Sequence, residues 1–324
     1  DIDYPKSHND KVILEVKSAS INHLDLWVRR GWPNFDVELP LILGSDASGT
    51  LVEIGSNVKG WNVGDDVLVQ PGIFCADCLF CNTGRENFCL KYGILGETMH
   101  GVQAEFISLN PQNIYPKPSI YTFEEAASMP LVFMTAYQML VRRARLTSNE
   151  TVLVYGANSG VGSAAIQIAK SFDSMVIATV GTDEKKNHAF DLGADYVVNH
   201  YRENLYNNIK DIVGRKGIDV IFEHVGYKTW TNSVKLLAKG GRLVTCGSTT
   251  GSRVDIDLKH LFMKQQSILG STMSDIISFN EVMDRINSGI LKPFVDKIFP
   301  FIDIQSAHEY IENGNQIGKV VLVP

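Results

Sequence analysis

Thr151-Val-Leu-Val-Tyr-Gly-Ala-Asn-Ser-Gly-Val-Gly162 is the stretch that decides the fold. A short apolar run enters a glycine-rich loop, and a helical segment follows it. Glycine lets the backbone approach a pyrophosphate, and the N-terminus of the next helix offers unpaired N–H groups and a positive dipole end. Gly156, Gly160 and Gly162 form a spacing variant of the dinucleotide fingerprint. The stretch predicts a strand, a phosphate-binding loop and a helix, although a turn kept for packing alone would look similar.

Strand-like and helical segments alternate after this loop. The strand-like runs are Met175–Thr179, Tyr196–Val198, Asp219–Phe222 and Arg242–Cys246, and the helices end at Phe172, about Asp191, Val213 and Ala238. Such alternation predicts βαβ units with right-handed crossovers. The chain therefore has an α/β fold with a Rossmann doubly wound parallel-sheet domain, which we place at residues 131–273.

The parts of the chain before and after this domain show different residue patterns. Residues 1–130 contain short β-branched runs, such as Val12–Val16, Gly49–Ile54 and Asp66–Val69, broken by Gly, Pro and Asn. This spacing predicts a small β-barrel or sandwich. Residues 274–324 read as two helices, 279–288 and about 304–313, and a last strand, Lys319–Val323. We expect this tail to return to the first domain.

Composition and charge exclude several classes of function. The 324 residues are 44% hydrophobic and 20% charged, with 30 basic and 36 acidic residues and a net charge of −6. Nucleic-acid binders need a basic face, so no nucleic-acid partner is expected. No apolar run is long enough to span a bilayer, so we expect no membrane association. Since the sequence opens on Asp1, we expect some native N-terminus to precede it.

Four of the five cysteines form a cluster: Cys75, Cys78, Cys81 and Cys89. Their C-x2-C-x2-C-x7-C spacing can close a tetrahedral zinc site without an open position, which makes the site structural. An iron–sulfur cluster or two disulfides would use similar residues. We favour one structural Zn2+ per chain and a reducing, cytoplasmic location, because the odd count and tight cluster fit metal thiolates better than disulfides.

The choice of dinucleotide depends on the end of the second strand of the α/β domain. NAD enzymes normally bind the ribose hydroxyls with an acid about 20 residues after the glycines. Asp183 lies near that distance, but it opens a helix behind Thr182, a plausible N-cap, where acids are favoured anyway. Nothing at the strand end then repels a 2′-phosphate, and Lys185 could pair with it. We predict NADP(H), with NAD(H) as the alternative.

Several motifs in fixed order resemble the zinc-type alcohol dehydrogenases and quinone oxidoreductases of the medium-chain dehydrogenase/reductase superfamily. They are Ala19–Asp25, Gly44–Gly55, Gly64-Asp65, Gly101–Phe106 and Ala126–Pro130, and the resemblance covers essentially the whole chain. It implies a GroES-like catalytic domain with the structural zinc lobe, a Rossmann cofactor domain, a small-molecule substrate and a homodimer or homotetramer.

The expected ligands of a catalytic zinc are absent from this sequence. The family's cysteine, three residues before the Asp matching Asp25, is here Asn22. The histidine of Gly-His-Glu falls in Gly44-Ser-Asp46, and the third ligand falls at about Leu131. The hydroxyl relay is replaced by Leu24 and Trp27. Such a site cannot hold an open zinc of the usual kind.

Asn22 with Asp25 resembles the zinc-free quinone oxidoreductases, as do Val180–Thr182, Lys185 and Tyr201–Glu203. In that family these residues accompany NADPH. The chain thus combines the structural zinc lobe of one branch with the active site of the other.

The resemblance also implies the functional residues. The candidate catalytic residues are Asn22, His23, Asp25, Asp46 and Thr135. The candidate cofactor-binding residues are Thr135, Gly156, Ser159, Gly160, Val161, Gly162, Thr182, Lys185, Tyr201, Val225, Gly247 and Ser248.

Ordinary structural roles compete with several of these assignments. His23 could be a surface histidine, Asp46 a buried strand residue and Thr135 a plain helix residue, while Glu97 and His100 either reach the substrate cleft or stay solvated. Cys246 lies on an apolar strand and is expected to be an inert thiol.

Three functions remain open at this level. We favour an NAD(P)H-dependent reductase of quinones or other conjugated carbonyls. The alternatives are a zinc alcohol dehydrogenase with atypical metal ligands, such as His23, Asp46 and His100, and a cofactor-binding protein without turnover.

Overall fold

The computed structural model describes residues 2–6, 8–31, 38–202 and 204–324. Its strands are β1 Val12–Ile21, β2 Asp46–Ile54, β3 Asp66–Val69, β4 Gly72–Ile73, β5 Gly93–Ile94, β6 Phe106–Leu109, β7 Ile114–Pro116, β8 Thr151–Val154, β9 Met175–Val180, β10 Tyr196–Asn199, β11 Ile218–Glu223, β12 Leu237–Thr245, β13 Ser267–Gly270, β14 Val295–Pro300 and β15 Lys319–Val323. Its α-helices are α1 His23–Arg30, α2 Phe123–Ala127, α3 Pro130–Tyr137, α4 Gly160–Lys170, α5 Lys186–Asp191, α6 Leu205–Val213, α7 Tyr227–Leu236, α8 Leu258–Met263, α9 Ile276–Asn287 and α10 Ile304–Glu312. A π-helical turn, Gln138–Arg143, continues α3.

The chain divides into two compact units. The first contains Asp1–Val132, Asp275–Asn287 and Lys292–Pro324, and the second contains Phe133–Ser274 and Ser288–Leu291. Among the described residues, no helix is both long and apolar enough to cross a membrane.

The first unit is built on a mostly antiparallel sheet in the order β14-β15-β1-β2-β3-β7, with β6 also paired to β1. The long central strand β1 is antiparallel to β2, β6 and β15. Alternate residues of β1 and β2, such as Leu14 and Leu51, pack into one buried apolar cluster. The predicted GroES-like β-domain is confirmed. The sequence pattern did not predict α1 and α2, which have too few turns for a clear helical period.

The second unit is a parallel sheet in the order β10-β9-β8-β11-β12-β13. If the strands are numbered from β8, this is the order 3-2-1-4-5-6 of the Rossmann fold. All strands run in the same direction, but the order in which the chain adds them reverses between the first and fourth strands. Tyr155, Ile177 and Ile221 belong to its buried apolar cluster. The predicted doubly wound domain is therefore confirmed.

Two helix ends in the parallel-sheet domain differ from the sequence expectation. The first helix of the parallel domain ends at Lys170 rather than Phe172, because the chain turns through Asp173, whose φ is 56°. The helix predicted to reach Ala238 ends at Leu236. There Leu237 already pairs with Ile218, and the strand bulges before it resumes at Arg242.

Candidate functional site

The four predicted metal ligands form a single cluster in the first unit. Their Sγ atoms all lie within 4.8 Å of one another. The pairs Cys78–Cys81 and Cys75–Cys89 are 3.5 Å apart, and Cys75–Cys81 is 3.8 Å apart. Tetrahedral zinc with Zn–S bonds of about 2.3 Å needs sulfur atoms separated by about 3.8 Å, whereas a disulfide needs about 2 Å. The cluster fits one tetrahedral ion.

Short elements hold this lobe in shape. Strand β4 precedes the four cysteines and β5 follows them, and the two strands pair with each other, with Gly72 opposite Ile94. The side chain of Glu86 is buried and accepts a hydrogen bond from the backbone N–H of Ile276 at the start of α9, at 3.2 Å. The lobe is therefore anchored to a helix nearly two hundred residues later in the chain.

The glycine-rich loop lies between β8 and α4 in the second unit, at the reversal point of the sheet. Gly156 has φ +60°, which favours glycine. Ser159 caps α4: its Oγ accepts from the N–H of Gly162 at 3.0 Å and donates to the carbonyl of Gly156 at 2.9 Å. A Cβ on Gly162 would lie 2.2 Å from the Gly156 oxygen. No side chain fits there, so the loop keeps the compact form that a pyrophosphate needs.

Two of the buried polar atoms in this unit that have no hydrogen-bond partner lie in elements expected to bind a dinucleotide. The Oδ1 atom of Asn158, in the glycine-rich loop, and the Oγ1 atom of Thr135, in α3, are buried without a hydrogen-bond partner in the described part of the chain. Buried polar atoms normally have partners, so each of these two atoms requires an explanation. The loop and these free atoms fit a bound dinucleotide.

Thr182, Lys185 and Tyr201 lie around the carboxyl ends of β9 and β10. The Tyr201 ring covers Gly181, where an added Cβ would lie 3.3 Å from the ring. Thr182 is the N-cap residue of the helical turn, as predicted, but its side chain makes no capping hydrogen bond.

Asp183 is held by three neighbouring side chains. It accepts from Asn199 at 3.0 Å and pairs with Arg202 at 2.7 Å and with Lys186 at 3.3 Å. The hydrogen bond from Asn199, followed by the lysine and arginine charges, lowers the pKa of its carboxyl group. Asp183 thus belongs to a local ion-pair network.

Two residues that the sequence analysis missed hold the loop of Val225, and one of them also bonds the residue before Gly156; Gly247 and Ser248 lie in the loop after β12. Glu223 is fully buried and accepts from the N–H groups of Val225 and Gly226 at 2.6 and 3.1 Å. The ring of His224 bonds the carbonyl of Tyr155 at 2.8 Å through Nε2. Glu223 directly follows the apolar run 220–222, and an acid at the end of such a strand could have predicted a buried hydrogen-bond acceptor here.

Three predicted catalytic residues of the first unit lie in one buried network. Asp46 is fully buried at the start of β2, and its Oδ1 accepts from the N–H of Leu131 at 2.8 Å. Its Oδ2 accepts from Asn22 Nδ2 at 2.9 Å. Asp25, also fully buried, accepts from the N–H groups of Asn22 and Gly44 at 2.8 and 3.1 Å.

Lys319 completes this network and was not predicted. It is 4% exposed, and its Nζ lies 2.5 Å from Asn22 Oδ1 and 3.3 Å from Asp46 Oδ2. Burial lowers the pKa of the ammonium group, and Asp46 opposes this shift. The sequence indicated this role only by placing a charged residue at the first position of the apolar strand 319–323.

Two other candidates of the first unit have neighbours of their own. His23 is exposed, and its ring packs edge-on against Trp27 at 5.8 Å. His100 Nδ1 accepts from the N–H of Ile42 at 3.2 Å.

Glu97 is half-buried and Cys246 lies just beyond β12. Burial raises the pKa of both side chains, and for the Cys246 thiol it reaches about 12. Within the described ranges, the four cysteines are the only group of potential metal ligands, so His23, Asp46 and His100 do not form a second one.

Asp25 gives the first unit a titration with a predictable sign. Burial raises its pKa to about 7, although the backbone hydrogen bonds and the charge of Lys319 oppose the shift. The folded state therefore binds more protons than the unfolded state between about pH 4 and 7, and stability falls as pH rises through that window. The wild type should lose on the order of 3 kcal/mol from pH 5 to pH 8 relative to Asp25→Asn, as measured by urea unfolding.

Asp66→Asn, at an exposed position of β3, is the matched control and should leave the pH dependence of the wild type unchanged. Parallel pH profiles for the wild type and Asp25→Asn would contradict the assignment.

Comparison with known proteins agrees with this architecture. Residues 8–119 match the profile of the alcohol dehydrogenase GroES-like domain, and residues 160–288 match that of the zinc-binding dehydrogenases. The chain is 30% identical to quinone oxidoreductase of Rattus norvegicus, over 100% of this chain and 92% of that protein. It is 31% identical to crotonyl-CoA carboxylase/reductase of Cereibacter sphaeroides, over 99% and 82%.

A solved NAD-dependent alcohol dehydrogenase superposes with a TM-score of 0.96 at 38% identity, covering 100% of this chain and 94% of that one. With both domains matched in order, the chain belongs to the medium-chain dehydrogenase/reductase superfamily and is an NAD(P)-dependent oxidoreductase.

Proposed function

We propose that this enzyme is an NADPH-dependent reductase of quinones or other conjugated carbonyls, with one structural zinc and no catalytic zinc. The observation that carries the proposal is the bonding of Asn22, Asp46 and Lys319. Asn22 occupies the position of the relatives' cysteine ligand, and its amide is bonded to the Asp46 carboxylate and the Lys319 ammonium group. The quinone oxidoreductase of Rattus norvegicus is similar to this chain along its whole length.

The same network limits the chemistry. When bound, NADPH supplies a hydride, and the acceptor oxygen or ring system gains negative charge. Asn22 Nδ2 donates one of its two protons to Asp46, which leaves the second for a substrate oxygen. One neutral donor is a modest substitute for a Lewis acid. A quinone or enone spreads the charge over a conjugated system, so a modest donor suffices.

The residues around β9 support NADPH over NADH. Val180 ends β9 where NAD enzymes carry an acid, and Asp183 is paired with Arg202 and Lys186. Lys185 and the exposed ring of Tyr201 would then hold the adenosine 2′-phosphate. Family resemblance supports a homodimer or homotetramer, and the clustered thiols support a cytoplasmic location.

A substrate screen combined with metal analysis tests the proposal. We expect about one zinc per chain, oxidation of NADPH by quinones or enones that is insensitive to brief chelation, and slow turnover of simple alcohols. Two tightly bound zincs with brisk, chelator-sensitive alcohol oxidation would favour an alcohol dehydrogenase. NADPH binding without turnover of any carbonyl would favour a binding protein.

Replacing Lys185 by alanine tests the cofactor preference separately. If its ammonium group pairs with the 2′-phosphate, NADPH binding should weaken by roughly 1–3 kcal/mol and NADH binding should be unchanged. Fluorescence titration of both cofactors measures the difference. Lys210→Ala, on α6, is a matched control that should affect neither cofactor. An equal loss for both cofactors would show that Lys185 does not recognise the phosphate.

A further inference from the structure

Three neighbouring strands bring Lys319 to Asn22. In the pairing of β1 with β15, Ile21 lies opposite Val320, so the next residues along, Asn22 and Lys319, face each other. In the pairing of β1 with β2, Ser20 lies opposite Asp46. Asn22 directly follows β1, and Asp46 and Lys319 begin β2 and β15. These three residues therefore lie together at one end of the strands.

The bonding within this group fixes the orientation of the Asn22 amide. An ammonium group only donates hydrogen bonds and a carboxylate only accepts them. Lys319 Nζ therefore faces Asn22 Oδ1 at 2.5 Å, and Asp46 Oδ2 faces Asn22 Nδ2 at 2.9 Å. A flipped amide would place like groups together at both contacts. The second Nδ2 proton then has one defined direction, and no acceptor takes it within the described residues.

The ammonium group is also costly to bury. Removing such an ion from water remains unfavourable even after the structure relaxes, and a protein with a hydrophobic side chain in its place is often no less stable. Packing alone is therefore a weak reason for a cation that is 4% exposed. A charge bonded to the amide oxygen does have a chemical effect, because charge-assisted bonds are stronger and polarise the groups they join.

We propose that Lys319 is a positioning residue: it locks and polarises the Asn22 amide so that the free Nδ2 proton meets the substrate oxygen on which negative charge develops. This inference rests on the proposed reductase function and deepens it. Donors that are fixed before the reaction need no reorganisation when the charge appears, which is the basis of oxyanion stabilisation. Lys319 acts through Asn22 and contacts no substrate itself.

A double-mutant cycle tests this inference. We would measure kcat with NADPH and 1,4-naphthoquinone for the wild type, Lys319→Met, Asn22→Ala and the double variant. If Lys319 acts through Asn22, Lys319→Met should lower kcat about ten- to a hundredfold and the NADPH dissociation constant should change less than about twofold. In the Asn22→Ala background the same change should cost less than about twofold, because residues acting as one unit are not additive.

Additional variants separate this role from a structural one. Lys319→Arg keeps a donor-only cation and should recover most of kcat. Lys319→Gln keeps a hydrogen-bond donor without the charge and should give an intermediate kcat. If Lys319→Met does not fold, Lys319→Gln takes its place in the double-mutant cycle. Lys297→Met is the control: its ammonium lies on neighbouring β14, over the rings of Phe299 and Tyr310, and kcat should not change. Melting temperatures and NADPH titrations accompany every variant.

The outcomes are distinguishable. Additive losses in the cycle, or an unchanged kcat for Lys319→Met, would overturn the role of Lys319 and leave the reductase proposal standing. The cycle is run on whichever acceptor the wild type reduces. Reduction of a simple aldehyde in place of the quinone would therefore overturn the proposed substrate class while the cycle still tests Lys319.

Discussion

Asn22→Ala should lower kcat for quinone reduction on the order of ten- to a thousandfold, with little change in NADPH binding. The reason is the loss of a buried donor whose orientation Lys319 and Asp46 fix from both ends. Removing one donor from an oxyanion site typically costs this much. Steady-state kinetics with NADPH and 1,4-naphthoquinone, together with a fluorescence titration of the cofactor, measures both quantities.

Asn113→Ala is the matched control for Asn22→Ala. Asn113 is fully buried in the same unit, but its amide donates to the carbonyl groups of Gln70 and Gly72. Its loss should lower the melting temperature and leave kcat unchanged. If Asn22→Ala retains the wild-type kcat while quinone turnover is present, another group must stabilise the charge that develops on the substrate.

Cys78→Ser should remove zinc and strongly destabilise the first unit. Serine is a poor ligand for zinc, and the binding energy of a structural zinc, on the order of 10 kcal/mol, also stabilises the folded lobe. Zinc should fall well below one ion per chain, and the melting temperature should drop. Elemental analysis and calorimetry measure the two effects.

Cys246→Ser controls for the chemical change itself, since Cys246 lies outside the cluster. It should keep the full zinc content. A Cys78→Ser protein with normal zinc and unchanged melting would show that these four cysteines do not form the metal site.

The sequence predicted the parallel domain well because each signal there is local. An apolar run, a glycine-rich loop and the next helix lie within a dozen residues, and the alternation repeats along the domain. Short helices were harder: α1 has eight residues and α2 has five, which is too few for a clear period. The end of α7 was missed because Leu237 pairs with Ile218, and sheet pairing overrides the continuing helical pattern.

The candidate site was only partly predictable for the same reason. Resemblance pointed to Asn22, Asp25 and Asp46, which lie together in one network. It also pointed to His23, which faces Trp27 instead, because neighbours on a short helix point in different directions. Lys319 lies 297 residues from Asn22, and only the register of β1 against β15 brings them together. No local pattern encodes that register.

The pairing of β1 with β15 also determines when the amino-terminal sheet can be completed during protein synthesis. Residues 12–21 leave the ribosome early, but the strand that pairs with residues 19–21, which is 319–323, emerges about three hundred residues later. At about 5–20 residues per second this delay lasts roughly 15–60 seconds. During that time the amino-terminal sheet has an open edge, a known starting point for aggregation. The nascent enzyme is therefore most exposed to misassembly and chaperone capture while its parallel-sheet unit is still being translated.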